Sequence, residues 1–349
     1  MRSRAHNMDS RTHSHTRLAS KACLVAALSL FGASPSEAAE VIPVRFIDGL
    51  PVVEVQLGAI RADFLLDTGG QLGITVPPPL INSATGVKPG IEQRKMGDAA
   101  GNVFMVQSVI ASTLRLGAAE LGPVDGLVNY KWGLKVGPGD APEVTNKGAI
   151  GLGALSSRNV LLDLGAGQIV LFDKGEPSRL DAAGWRSVPF TYDKSGVVIQ
   201  IVVSGATAAM SLDTAATTSM LRKDAKLFAS IASPCSGKPP DASFCGMKRL
   251  DGVPAGKSNL GSLTVAVVQM GGVPFDGLLG IDFFLTRRVF IDFDVGAERI
   301  LSHPADPILS QGGTQSEGRA SVDKCRCLAV SSPPSRGSRT FRADWCALL

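Results

Sequence analysis

Histidine is the scarcest useful side chain in this sequence. The 349 residues contain four, His6, His13, His15 and His303, and none falls within 40–302. Ser-His-Asp hydrolysis, Cys-His proteolysis and a His-ligated zinc site all require an imidazole, so that stretch is excluded from each. Cysteine is nearly as sparse there, with only Cys235 and Cys245. Aromatic residues make up 5% of the chain, and no apolar run reaches the roughly 20 residues that a membrane-spanning helix needs. Charge of one sign is missing too. The net charge of +4 sits at the ends, leaving 24 basic and 25 acidic residues in 40–302, with no basic stripe to bind nucleic acid. Gly252 to Ser258 looks like a phosphate loop but has three residues between its glycines where four are needed. Chemistry in this chain therefore falls to carboxylates, hydroxyls or lysines, with no metal and no cofactor expected.

What is present favours strands. Gly (39) and Pro (21) are abundant, and apolar segments of Val, Ile and Leu are broken by them at short intervals. Residues 222–231 (RKDAKLFASI) are the one convincing helix of any length. The N-terminus reads as an export signal: a polar segment with Arg2, Arg4, Arg11, Arg17 and Lys21, an apolar run over 22–33, and small residues suited to cleavage near Ala38 or Ala39. Export permits disulfides, and Cys235 and Cys245 bracket a Pro/Gly/Ser-rich stretch that a bridge would stiffen. Residues 303–349, with Cys325, Cys327 and Cys346, read as a poorly ordered tail.

The body between these ends is an internal repeat. Residues 52–70 (VVEVQLGAIRADFLLDTGG) match 197–216 (VVIQIVVSGATAAMSLDTAA), each a strand, a turn at Gly58 or Gly205, and a second strand running into Asp-Thr. Each copy has a later partner: 148–163 (GAIGLGALSSRNVLLD) matches 277–292 (GLLGIDFFLTRRVFID). The offset is 146 residues for the first motif and 129 for the second, so the same motifs recur in order with different loops between them. That is the mark of two duplicated lobes, 40–180 and 181–302, rather than a short-period solenoid. A pseudo-twofold between the lobes brings Asp67 and Asp213 face to face. Asp163, Asp282 and Asp292 read as turn or strand-end residues, and Trp132 and Trp185 as packing residues.

The pairing of Leu65–Gly69 with Ala149-Ile150-Gly151, and of Ser211–Ala215 with Leu278-Leu279-Gly280, resembles the aspartic proteases, in particular the bacterial retropepsin-like group in a two-lobed, pepsin-like arrangement. The resemblance spans most of 50–302. It implies an all-β fold of two pseudo-twofold-related lobes with a cleft between them, and Asp67 and Asp213 as a catalytic dyad. It also implies dyad support from Thr68, Gly69, Thr214, Ala215, Ile150, Gly151, Leu279 and Gly280, with the two threonines cross-bonded beneath the aspartates. The implied activity is that of an exported, monomeric endopeptidase, with a peptide in the interlobe cleft. Two carboxyls about 3 Å apart cannot both ionise, so such a pair keeps one acid and one base side by side. Three features depart from the family. Ala215 stands where it has glycine, Gly70 and Ala216 lack a hydroxyl, and the flap candidate over 96–104 has no tyrosine, with 248–259 as its counterpart. Ala215 and the flap without tyrosine favour the alternative of a silent cleft that binds a peptide or partner.

Overall fold

Runs of Val, Ile and Leu separated by glycine turns fold here as paired strands, and the duplication visible in the sequence is a duplication of sheet order. The computed structural model describes residues 39–69, 71–97, 101, 103–130, 147–175, 184–193, 196–225, 244–294 and 299–304, the last as backbone. The first half contributes β1 (Glu40–Pro43), β2 (Arg45–Ile47), β3 (Leu50–Leu57), β4 (Ile60–Asp67), β5 (Ile74–Val76), β6 (Val87–Gly97) and β7 (Val103–Ala111). It continues with β8 (Leu114–Leu116), β9 (Ala119–Glu120), β10 (Val124–Val128), β11 (Ala149–Gly151), the short helix α1 (Leu152–Leu155), β12 (Asn159–Asp163) and β13 (Gln168–Phe172). The second half opens with β14 (Arg186–Asp193), β15 (Gly196–Val203), β16 (Ala206–Leu212), β17 (Met220–Arg222) and β18 (Phe244–Leu250). It ends with β19 (Pro254–Ala255), β20 (Ser258–Asn259), β21 (Leu263–Val268), β22 (Gly277–Leu279), helix α2 (Ile281–Leu285), β23 (Arg287–Asp292) and β24 (Arg299–Pro304).

Five strands run side by side in the first lobe in the order β10-β5-β11-β4-β3, and five in the second as β21-β17-β22-β16-β15. Directions match as well: β10 with β5 and β11 with β4 are parallel, as are β21 with β17 and β22 with β16. In each lobe a hairpin, β3–β4 or β15–β16, turns on a glycine with positive φ, Gly58 (53°) or Gly205 (78°), a conformation that side chains disfavour. The hairpin's second strand then carries its apolar end into the core. β4 begins exposed and finishes with Phe64, Leu65 and Leu66 fully buried, which delivers Asp67 to the end of an immobile strand. β16 likewise ends on buried Met210, Ser211 and Leu212.

A third set of strands joins the lobes in the order β1-β13-β12-β23-β24-β14. Its centre lies between β12 and β23, which are antiparallel with Leu161 opposite Phe290. These two residues are each other's equivalents in the repeat, so the molecule's pseudo-twofold passes between them. Trp185 packs on the apolar cluster that they form with Val170, and the Arg288 guanidinium lies over its ring at 5.6 Å. Further ties cross between the halves. Asn159 accepts from Phe293 N at 2.7 Å and donates to Asp294 at 3.1 Å, and Tyr192 shares a hydrogen bond with Ser156, its phenol pKa raised by burial.

Three expectations need correction. Arg222 closes β17 and 223–225 form a turn, because Met220 and Leu221 are claimed by pairing with β21 and β22; the rest of the expected helix, 226–231, lies outside the described residues. The lobe-two partner of the flap does not begin at 248. By sheet order β18 is the equivalent of β7, and residues 254–259 form the small separate hairpin β19–β20. The backbone of β24 runs two residues past 302, with His303 opposite Arg288. The signal segment 1–38, Trp132 and Cys235, together with residues 305–349, fall outside the described residues.

Phe290 is 1% exposed and meets Phe172 edge-on at 5.6 Å. Phe290→Ala empties the centre of the joining sheet and should lower stability by about 3–5 kcal/mol, read as a shifted urea midpoint with unchanged slope.

Candidate active site

Each Asp-Thr turn emerges from a buried strand and is braced from beside by a short strand of two apolar residues and a glycine. In the first lobe β11 runs parallel to β4, setting Ile150 opposite Leu66 and Gly151 opposite Asp67. In the second, β22 runs parallel to β16 with Leu279 opposite Leu212, and the Leu279 carbonyl accepts the Asp213 N–H at 2.9 Å. The glycine that follows is a steric requirement. A methyl on Gly280 would stand 2.5 Å from the Thr218 carbonyl carbon and 2.8 Å from the Ala216 oxygen.

The two turns are bonded to each other through their threonines. Thr68 N–H donates to Thr214 Oγ1 at 3.1 Å, and Thr214 N–H donates to Thr68 Oγ1 at 3.0 Å. Each hydroxyl then passes its own proton across the interface, Thr68 Oγ1 to Leu212 O at 2.9 Å and Thr214 Oγ1 to Leu66 O at 2.6 Å. Both side chains are completely buried. Every hydroxyl in this set accepts one bond and donates another, and a buried network of this kind holds only when every member is satisfied.

Asp67 and Asp213 are half-buried, each at the residue before its threonine. The Asp213 carboxyl rests on the opposite turn: a methyl on Gly69 would lie 2.5 Å from its Cγ and 2.7 and 2.8 Å from its oxygens. A side chain at 69 would therefore have to displace a carboxyl from 144 positions further along. Desolvation pushes the Asp213 pKa up from 3.8 to about 6, against the opposing pull of the Ala215 and Ala216 backbone N–H groups; Ala215 N donates to Asp213 Oδ1 at 2.9 Å. Ala215, the mirror of Gly69, is half-buried and packs on an apolar cluster of the first lobe, Leu50, Val52, Leu65 and Ala149.

Two contributors carried no signal in the motifs. Ser219 donates from both N and Oγ to Asp282 Oδ1, at 2.7 and 2.8 Å, while its hydroxyl accepts the Gly280 N–H at 3.0 Å. Asp282, expected to be structural, is thus a brace for the second turn, its pKa raised by burial despite the Ser219 bonds. The first lobe has Gly153 at that place, where any methyl would strike Gln71 O at 2.4 Å, and it braces Gly151 with the Gly73 carbonyl instead. The other contributor is Gly196 at the start of β15, whose missing side chain leaves room for Thr68 O at 3.2 Å. Asp163 and Asp292 close β12 and β23, away from the turns in the fold. Cys245, in β18, is disulfide-bonded. Among the described residues no group of three or more His, Cys, Asp or Glu could hold a metal ion, and no helix is long and apolar enough to cross a membrane.

No protein-family model and no curated protein matches the chain. Among solved structures it is similar to the aspartic proteinase from Irpex lacteus, with a TM-score of 0.48 and 13% identity, over 79% of this chain and 100% of that one. It is similar also to Basic 7S globulin from soybean, with a TM-score of 0.47 and 13% identity, over 79% of this chain and 97% of that one.

Two measurements test this geometry. Thr68→Val leaves Thr214 N–H and Leu212 O unpaired in the core and should cost about 2–5 kcal/mol. Thr214→Val orphans the matching pair, the residue-68 N–H and Leu66 O, and should cost about the same; a double-mutant cycle in urea reads how far the two losses add. The second measurement concerns pH. Between 3.8 and about 6 the native Asp213 holds a proton that the unfolded chain has released, so this group's contribution to stability falls as pH rises through that window. Asp213→Asn removes that penalty, and its melting temperature relative to the parent chain should be higher at pH 7 than at pH 4. The double duplication of sheet order and of the Asp-Thr turn makes the architecture a two-lobed, pseudo-twofold all-β fold.

Proposed function

We propose that the chain is an aspartic endopeptidase that hydrolyses a peptide bond with a water activated between Asp67 and Asp213. The observation that carries this is the reciprocal threonine bonding, which fixes the two turns so that the carboxyl of one lies on the glycine of the other. Desolvation keeps a proton on the pair into the mildly acidic range. The unprotonated carboxylate takes a proton from water as its oxygen bonds to the peptide carbon, and the protonated partner gives its own to the carbonyl oxygen. Collapse of the resulting diol breaks the C–N bond, with the proton returned to the leaving amine. No step needs a histidine, a covalent nucleophile or a cofactor, in keeping with the residue inventory of 40–302.

The apolar signal-like run at 22–33 and the disulfide at Cys245 support export, with the mature protein acting as a monomer on peptides outside the cytoplasm. Within the superfamily, Gly70 and Ala216, both without a hydroxyl, suit the retropepsin-like group. A second reading, a cleft that holds peptide without cutting it, is favoured by Ala215, whose methyl intrudes where the other turn has none. The test separates the two. Asp67→Asn and Asp213→Asn should each abolish cleavage of a peptide library at about pH 4–6 while the circular dichroism of the fold is kept. Cleavage surviving in either variant rejects the dyad; tight peptide binding with no cleavage by the parent chain establishes the second reading.

A further inference from the structure

The two halves of the dyad are not equivalent, and the difference lies in one methyl group. The repeat maps Gly69 onto Ala215 and Asp213 onto Asp67. Bonds across the axis agree closely, 3.1 and 3.0 Å for the two N–H donations between the threonines, so the turns themselves obey the pseudo-twofold. On one side the Asp213 carboxyl occupies the space that a side chain at 69 would need, with Cγ at 2.5 Å. On the other side that space already holds the Ala215 Cβ. Carbon atoms that are not bonded do not approach to 2.5 Å, so the Asp67 carboxyl cannot take the pose of Asp213.

The surroundings of the two turns are matched to this difference. The hairpin tip beside Ala215 brings Ile47 and Leu50, both packed with it in one apolar cluster. The tip beside Gly69 brings the equivalents of those residues, Asp193 and Gly196, paired in the same register, and here backbone approaches backbone. A methyl is thus seated in an apolar socket on one side, and on the other would displace the Asp213 carboxyl. Resting on the proposed catalytic role, we infer that Ala215 is a positioning residue that makes the dyad unequal, holding Asp67 off the symmetric pose and weakening its coupling to Asp213.

Weaker coupling has a defined signature. Two carboxyls in the symmetric pose repel as anions and split their titrations, and moving them apart narrows the split. Among the described residues, the charged or titratable groups on the elements packed against the turns include Asp193, Tyr192 and Arg186 on β14, Asp48 and Arg45 at the β2–β3 hairpin, Glu54 on β3, and Asp282 behind Ser219. None of them is changed by a substitution at 215.

The test is Ala215→Gly in the full chain, with the aspartate carboxyls followed by carbon NMR from pH 2 to 9 and assigned with Asp67→Asn and Asp213→Asn. Freed of the methyl, Asp67 should move toward the symmetric pose, and the two titrations should separate further by about one pH unit. The bell-shaped pH profile of peptide cleavage should broaden by the same amount. Gly69→Ala supplies the converse, displacing the Asp213 carboxyl and narrowing the split. Titrations in Ala215→Gly that coincide with those of the parent chain, or that draw closer together, overturn the inference. Because the NMR readout does not depend on turnover, a widened split in a chain that cuts no peptide would uphold this role for Ala215 and reject the endopeptidase instead.

Discussion

Everything in this molecule that could do chemistry rests on two hydroxyls that each serve a neighbour from the opposite lobe. Thr68 and Thr214 exchange backbone N–H bonds and spend their remaining protons on Leu212 and Leu66, so six polar groups at a buried interface are satisfied by one another. A threonine fits this role because its hydroxyl can accept and donate at once, while its methyl fills apolar space and restricts rotation about χ1. Neither turn could be satisfied alone. Separated, each lobe would expose or bury an unpaired N–H, a hydroxyl and a carbonyl, a penalty of about 1–3 kcal/mol for each group. The aspartates inherit their placement from that constraint, being one residue upstream of the threonines and directly after three buried strand residues, 64–66 or 210–212.

The same end is reached by different means on the two sides, which is what duplication followed by divergence produces. The first lobe braces its glycine, Gly151, with a backbone carbonyl at Gly73, and clears space with Gly153. The second lobe braces Gly280 with a side chain, Ser219, held in turn by Asp282 from the start of α2. A buried carboxylate is costly unless its lone pairs are used, and Asp282 uses them on both donors of one serine. The joining sheet kept more of its symmetry, with Leu161 and Phe290 opposite one another across the axis; there only size and hydrophobicity are demanded.

The repeat was legible because strands that end in buried apolar residues tolerate few alternatives, and because Asp-Thr and the two-apolar-plus-glycine motif recur at fixed places within each copy. From these alone came the doubled strand order, an Asp-Thr turn at the end of β4 and after β16, and the strands beside them. The short helices α1 and α2 were hidden, since four and five residues give too little periodicity to distinguish a helical turn from the apolar end of a strand. The segment from Arg222 misled for the opposite reason. Its composition suits a helix, yet its first residues are committed to a sheet by neighbours more than 40 positions away. Asp282 had the right identity but gave no hint of its partner, because a contact between residues 219 and 282 leaves no periodic trace. The crowding at 69 was also invisible in local sequence, being imposed by a carboxyl from the other lobe.

Ala215 shows why identity at a motif position and function at that position can come apart. Judged as a departure from glycine, it suggests damage to the second turn. In place, it is half-buried against Leu50, Val52, Leu65 and Ala149, and its N–H still bonds Asp213. The turn has therefore absorbed the methyl without losing the bonds that hold it, and the methyl's effect passes to the carboxyl facing it. In the proposed mechanism one acid donates and the other accepts in the same step, and in a strictly symmetric pair either proton assignment would be equally populated. A single carbon on one side of the axis is enough to break that degeneracy, while the two N–H bonds that the threonines exchange beneath agree to a tenth of an ångström.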